Sequence, residues 1–222
     1  VEDVVVDVAD SELADVRARL DRTRLPEPET APGDTQGLGL RQLSALLDAW
    51  REHDWRARQA QWNAIPQYRV RLDGLRIAFW HVRSPEPTAL PLLLTHGWPG
   101  SVLEFENPLG PLTDPVAHGG SARDAFHVVV PSLPGFGFSD RPDEQGWHPG
   151  RTAGAWAELM TLLGYDRFGA HGGELGRLRE HGAGSCRSGA GRGPAPDHAA
   201  RVTAAGGPDL SGSGGTARAG QA

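Results

Sequence analysis

Leu92-Leu93-Leu94-Thr95-His96-Gly97-Trp98-Pro99-Gly100 joins a short apolar run to a loop made of Gly and Pro. A continuous apolar run of this length, bounded by turn residues, suits a strand buried on both faces. Gly97, Pro99 and Gly100 fix the loop that leaves it. The backbone amide of Trp98 can then point at a developing oxyanion. Pro99 has no amide hydrogen, so it rigidifies without donating. A plain Gly/Pro turn is the simpler reading, but the whole pentapeptide is specific enough to favour the functional one.

Working outward, the pattern on either side alternates strands with helices. Tyr68–Leu72 and Leu75–Val82 flank Asp73-Gly74, which reads as an antiparallel hairpin. Val102–Leu112 is expected to be helical and His127–Pro131 to be another buried strand. Thr152–Leu163 is an amphipathic helix, with Ala155, Trp156, Leu159 and Leu162 or Leu163 on one face. Tyr165–His171 is expected to form the next strand. This order predicts an α/β fold with a mostly parallel sheet and flanking helices. Functional atoms in such sheets gather at the carboxyl ends of the strands.

Residues 1–65 read as a small helical preface. Asp10 or Ser11 is expected to cap a helix whose apolar face is Leu13, Val16 and Leu20. After a Pro/Gly-rich connector, Leu40, Leu43, Leu47 and Trp50 recur at helical spacing, and a further helix is expected from Trp55 to Trp62.

Two more motifs follow strands. Pro131-Ser132-Leu133-Pro134-Gly135-Phe136-Gly137-Phe138-Ser139 places small residues at 135, 137 and 139, where positive φ or close backbone approach is permitted. It reads mainly as a structural turn that supports a site. Gly172-Gly173-Glu174-Leu175-Gly176 sets a carboxylate among small residues, as a crowded strand-to-helix nucleophile turn requires. A carboxylate there would attack carbon and form an ester, and the Leu175 amide would be a second oxyanion donor.

Together these motifs resemble the epoxide hydrolases of the α/β-hydrolase superfamily, in the branch with a helical N-terminal domain, as in microsomal epoxide hydrolase. The resemblance covers residues 1–176, including Asp54-Trp55-Arg56 and Ile65-Pro66-Gln67-Tyr68. It implies a helical region over 1–65, the first part of an α/β-hydrolase domain over 66–176, and a low-complexity tail over 177–222. The implied chemistry is attack on an apolar epoxide by the residue at 174, giving an alkyl-enzyme ester. A His–acid pair would activate water to release a vicinal diol, and two lid tyrosines would bind the opening epoxide oxygen. Within that scheme His96, Gly97 and Pro99 frame the oxyanion loop. Gly135, Gly137 and Ser139 form a supporting signature, and Gly173 and Gly176 flank the nucleophile. No cofactor or metal is implied.

The sequence departs from this pattern at its end. The family nucleophile is Asp followed by Trp, whereas Glu174 and Leu175 stand here. The extra methylene displaces the carboxylate by roughly 1 Å, and a misplacement of that order costs about a hundredfold in rate. The lid tyrosines, His and acid have no counterparts within the 222 residues: neither Tyr68 nor Tyr165 falls in a lid, and His181 and His198 match no family context. From Arg177 onward there are three large aliphatics (Leu178, Val202 and Leu210) and no aromatic residue, too little to offset chain entropy of roughly 1–2 kcal/mol per residue. A disordered tail and a poorly stable, catalytically impaired fragment are therefore expected. A single inserted base near codon 174 accounts for both departures. With suitable codons, deleting one A from a GAA codon at Glu174 restores Gly-Asp-Trp-Gly-Ala-Phe from position 173. A genuine low-complexity tail is the alternative.

Net charge is −6, there is no Lys, and no basic cluster interleaves with aromatics, which argues against a nucleic-acid partner. Cys186 is the lone cysteine, so no intrachain disulfide marks an oxidising compartment. The longest apolar run, Ala89–Leu94, is too short to span a bilayer. A cytoplasmic protein acting on a small apolar epoxide and water is the expectation. A haloalkane dehalogenase or esterase on the same fold is one alternative, and a non-catalytic remnant binding apolar ligands around Trp98 and Phe136 is another.

Overall fold

The computed structural model describes residues 1–31, 33 and 35–172. The expectations for Gly173, Glu174, Leu175, Gly176 and the 177–222 tail lie outside the described residues.

Six strands form one mixed sheet in the order β1-β2-β3-β5-β4-β6. They are β1 (Glu2–Asp3), β2 (Gln67–Leu72), β3 (Leu75–Val82), β4 (Leu90–Thr95), β5 (Phe126–Pro131) and β6 (Gly169–Gly172). The helices are α1 (Asp10–Asp21), α2 (Leu40–Glu52), α3 (Trp55–Asn63), α4 (Glu106–Thr113) and α5 (Pro149–Leu162). The expected parallel arrangement holds for β5-β4-β6, whereas β1, β2, β3 and β5 pair antiparallel in turn.

The β2–β3 hairpin forms because Asp73 and Gly74 both accept positive φ, 44° and 86°, as a tight primed turn demands. Leu72 pairs with Leu75 across it. Beyond the turn, period-2 alternation sorts side chains to opposite faces. Leu75, Ile77 and Phe79 of β3, Leu93 of β4 and Val129 of β5 pack with Ala155, Trp156, Leu159 and Met160 of α5. Their neighbours Trp80, Leu94, Val128 and Val130 pack on the other face with Val102 and Leu109. The sheet is thus covered on both sides, as its apolar strands required. His148 caps α5 by accepting from the amides of Gly150 and Arg151 at 3.1 and 3.3 Å.

Several elements differ from the sequence reading. The cap of α1 is Ala9, without a side-chain bond; Asp10 is the first helical residue and Ser11 the second. Asp10 instead pairs with Arg56 of α3, an ion pair that linear spacing does not reveal. In the α1 face Leu20 is buried but Val16 is 39% exposed. The preface also contributes a strand, since β1 pairs antiparallel with β2. Strand β6 begins at Gly169, not at Tyr165, because Tyr165 is drawn to His81 by a 2.8 Å hydrogen bond. Val102–Leu112 is a 3-10 turn (Val102–Phe105) continued by α4. Among the described residues no helix is long and apolar enough to cross a membrane.

Candidate active site

Three strand ends converge. Strands β4, β5 and β6 run parallel, so Thr95, Pro131 and Gly172 lie at one edge of the sheet, with Thr95 paired directly to Gly172. The loops that follow the first two strands are locked together by a buried imidazole. His96 is fully buried, its Nε2 accepting from the Leu133 amide at 3.1 Å and its Nδ1 lying 3.0 Å from the Gly97 carbonyl. Those partners fix the neutral tautomer: Nδ1–H donates to Gly97 while Nε2 accepts. Burial pushes the His96 pKa down, partly opposed by the Gly97 carbonyl. The Phe136 ring meets the imidazole edge-on at 5.5 Å.

The loop tip is open. Trp98 is 66% exposed, the Trp98–Pro99 peptide is cis, and among the described residues the Trp98 amide donates to no protein acceptor. Gly100 is required by crowding: a Cβ there would lie 1.8 Å from Glu104 Oε1 and 2.9 Å from the Gly97 carbonyl oxygen. The same Glu104 accepts from the Ser101 amide at 3.2 Å, and Ser101 Oγ accepts from Leu103 at 3.3 Å, closing a capping box that ends the loop.

The 131–139 loop is a clamp. Ser139 Oγ accepts from the Ala78 amide at 3.0 Å and donates to the Ser132 carbonyl at 2.9 Å. Ser132 in turn donates its amide to the Ala78 carbonyl at 2.9 Å. Gly137 has φ 53°, and a Cβ on it would lie 2.8 Å from Ser132 Oγ; Gly135 has φ 85°. Asp140 anchors the exit, meeting Arg76 through two side-chain bonds of 3.0 and 3.1 Å and accepting its amide at 3.0 Å. Sequence reasoning missed Arg76–Asp140 because the partners are 64 residues apart and neither sits in a motif. Ser139→Ala leaves the buried Ala78 amide without its acceptor and is expected to cost about 2 kcal/mol in urea unfolding. A loss below about 0.5 kcal/mol would show that water replaces the hydroxyl there.

A mixed sheet covered on both faces, with Gly-rich loops leaving the carboxyl ends of its parallel strands, is an arrangement that α/β-hydrolases have. Residues 1–105 match the family described as epoxide hydrolase N terminus. A Stigmatella aurantiaca protein bearing the epoxide hydrolase name is 55% identical over 170 residues, 76% of this chain and 39% of that protein. Epoxide hydrolase 1 of Oryctolagus cuniculus is 38% identical over 178 residues, 78% of this chain and 39% of that protein. The structure of Aspergillus niger epoxide hydrolase superposes with a TM-score of 0.71 at 29% identity, covering 82% of this chain and 49% of that one. The juvenile hormone epoxide hydrolase of Bombyx mori superposes equally, at 0.71 and 30% identity, covering 80% and 47%. The chain is similar over most of its length to the N-terminal part of epoxide hydrolases of the α/β-hydrolase superfamily. It spans 39% of the length of these two curated relatives.

Proposed function

We propose that this chain holds the first half of an epoxide-opening site, with the Trp98 amide as one oxyanion donor. Glu174 stands where the family carries its nucleophile, and the Leu175 amide would be the second donor. In the complete reaction a carboxylate attacks an epoxide carbon. The C–O bond breaks toward the ring oxygen, which takes a proton, and water then hydrolyses the ester to a vicinal diol. Supporting residues on this reading are His96, Gly97, Pro99, Gly135, Gly137, Ser139, Gly173 and Gly176. The observation that favours it most is the 3.1 Å bond from the Leu133 amide to His96 Nε2. That contact holds two strand-end loops rigid while the Trp98 amide stays without a protein acceptor, the preorganisation that anion stabilisation needs. The Thr95–Gly172 pairing brings the residue preceding Gly173 alongside.

The 222-residue chain on its own is expected not to turn over substrate. Glu174 is one methylene too long, and the resemblance assigns no water-activating His, acid or lid tyrosine within its length. Sequencing the coding DNA through codon 174 in all three frames decides whether the Glu174-Leu175 pair arises from an inserted base. A protein expressed from the restored frame, with Asp at 174 and Trp at 175, is expected to convert styrene oxide to its diol. If neither diol nor a covalent adduct in the intact mass appears, the epoxide reading fails.

The exposed Trp98 favours a second reading, an apolar binding surface without catalysis. Phe136 is engaged against His96, which leaves Trp98 as its main contact. Saturable quenching of Trp fluorescence by an apolar epoxide, without turnover even in the restored frame, would select that reading.

A further inference from the structure

At the amino ends of the parallel strands, opposite the loops at 96–100 and 131–139, lies a cavity of about 400 Å³ lined by Arg83, Ser84, Pro85, Pro87, His127 and Tyr165. Arg83 and Ser84 leave the end of β3, His127 opens β5, and Tyr165 precedes β6. The family reaction does not use this end of the sheet.

The polar groups around the cavity are held in defined states. The Ser84 amide donates to His127 Nδ1 at 3.0 Å, so the neutral His127 ring carries its proton on Nε2 as a donor. That ring stacks on Tyr165, with centroids 6.1 Å apart and planes 19° from parallel. Tyr165 is pinned by His81 Nε2 at 2.8 Å. Burial, reinforced by the Arg83 charge, pushes His81 down to about 4, so at neutral pH the ring is uncharged and its tautomer sets the direction of the bond to the phenol. Burial also raises the Tyr165 pKa, which the Arg83 charge opposes.

Like Arg69, Arg71 and Arg141, Arg83 makes no ion pair among the described residues, and it is the arginine that lines the cavity. Arg58, Arg76 and Arg151 each pair with a carboxylate. Among the described residues no acidic side chain lines the cavity either. Glu86 lies between Pro85 and Pro87 in sequence but is not one of the lining residues, and its amide donates to Ser84 Oγ at 3.0 Å. The lining thus offers one fixed positive charge, an imidazole N–H, and apolar walls from two proline rings and an aromatic stack.

We propose that this cavity binds a small organic carboxylate with a flat apolar body. The carboxylate meets the Arg83 guanidinium, whose planar fork matches its two oxygens. The body lies against Pro85, Pro87 and the His127–Tyr165 stack. A phosphate dianion would find a single cation for its two charges and apolar proline walls where its further oxygens need donors. A neutral apolar ligand would leave the guanidinium unused.

Benzoate and inorganic phosphate serve as probes. Ligand-observed saturation-transfer NMR on the full 222-residue chain is expected to show saturable benzoate binding, with Kd on the order of 1 mM. Phosphate at the same concentration is expected not to displace it. Arg83 is exposed, so Arg83→Gln should retain the near-UV circular dichroism of the parent while weakening benzoate about tenfold. Arg83→Lys should weaken it less, and Arg71→Gln, beside the β2–β3 hairpin at the opposite end of β3, not at all. Non-saturable benzoate binding, equal displacement by phosphate, or unchanged affinity in Arg83→Gln would each overturn the proposal.

Discussion

His96→Ala is expected to destabilise the domain by about 4 kcal/mol in urea unfolding, the largest single effect of a substitution in either strand-end loop. The imidazole is fully buried, so its removal leaves a cavity lined by Phe136 and the loop backbone. It also strips the Leu133 amide of its acceptor and the Gly97 carbonyl of its donor. An unpaired buried backbone group costs about 1–3 kcal/mol, and the lost volume adds to it. His96→Gln keeps an acceptor on a flexible stem and should recover part of the loss. Amide exchange separates a local from a global cause: the Leu133 amide should lose protection well beyond the fall in global stability, while Val129 in β5 should track that fall. A loss under about 1 kcal/mol, or Leu133 exchange that follows Val129, would show that the two loops hold their positions without this imidazole.

The sequence revealed His96 as a motif residue, and its position after an apolar strand was enough to place it at a strand end. What it binds was not legible, because Leu133 belongs to a different loop and donates through its backbone. The same limit explains the other omissions. Period-2 alternation around Asp73-Gly74 yielded β2 and β3 because the signal is local. Asp10 looked like a cap from composition alone, yet its carboxylate is recruited by Arg56, 46 residues on, and a cap and an ion pair demand the same residue type. Tyr165 was expected to open the strand that ends at the Gly pair. Its bond to His81, 84 residues away, holds it outside β6. The motifs marked where the site stands, and long-range polar contacts determine its geometry.

Acidification is expected to unfold the domain in two stages, the first set by buried histidines. His81 is 6% exposed and its folded pKa is lowered from 6.5 to about 4, chiefly by burial and then by the Arg83 charge. His96 moves in the same direction, again through burial. A depressed histidine means that the unfolded chain takes up the proton first. Stability is therefore complete above about pH 6.5 and falls as pH drops toward 4, where the unfolded state binds more protons than the folded one. Each tenfold difference in proton affinity is worth about 1.4 kcal/mol, so His81 alone contributes about 3 kcal/mol across that window. The second stage has the opposite chemistry. The Arg76 guanidinium holds Asp140 below the usual carboxylate range, Arg58 does the same for Glu106, and Arg151 for Asp73. These contributions persist above the ordinary carboxylate pKa and are lost only as pH falls through the lowered values, below the histidine window. Urea midpoints measured from pH 8 to 3 should thus stay level to about 6.5, decline to about 4, and then fall again. His81→Gln removes one titrating group and should flatten the first decline while leaving the second in place. If the decline between pH 6.5 and 4 keeps its full slope in that variant, His81 is not the group that sets it.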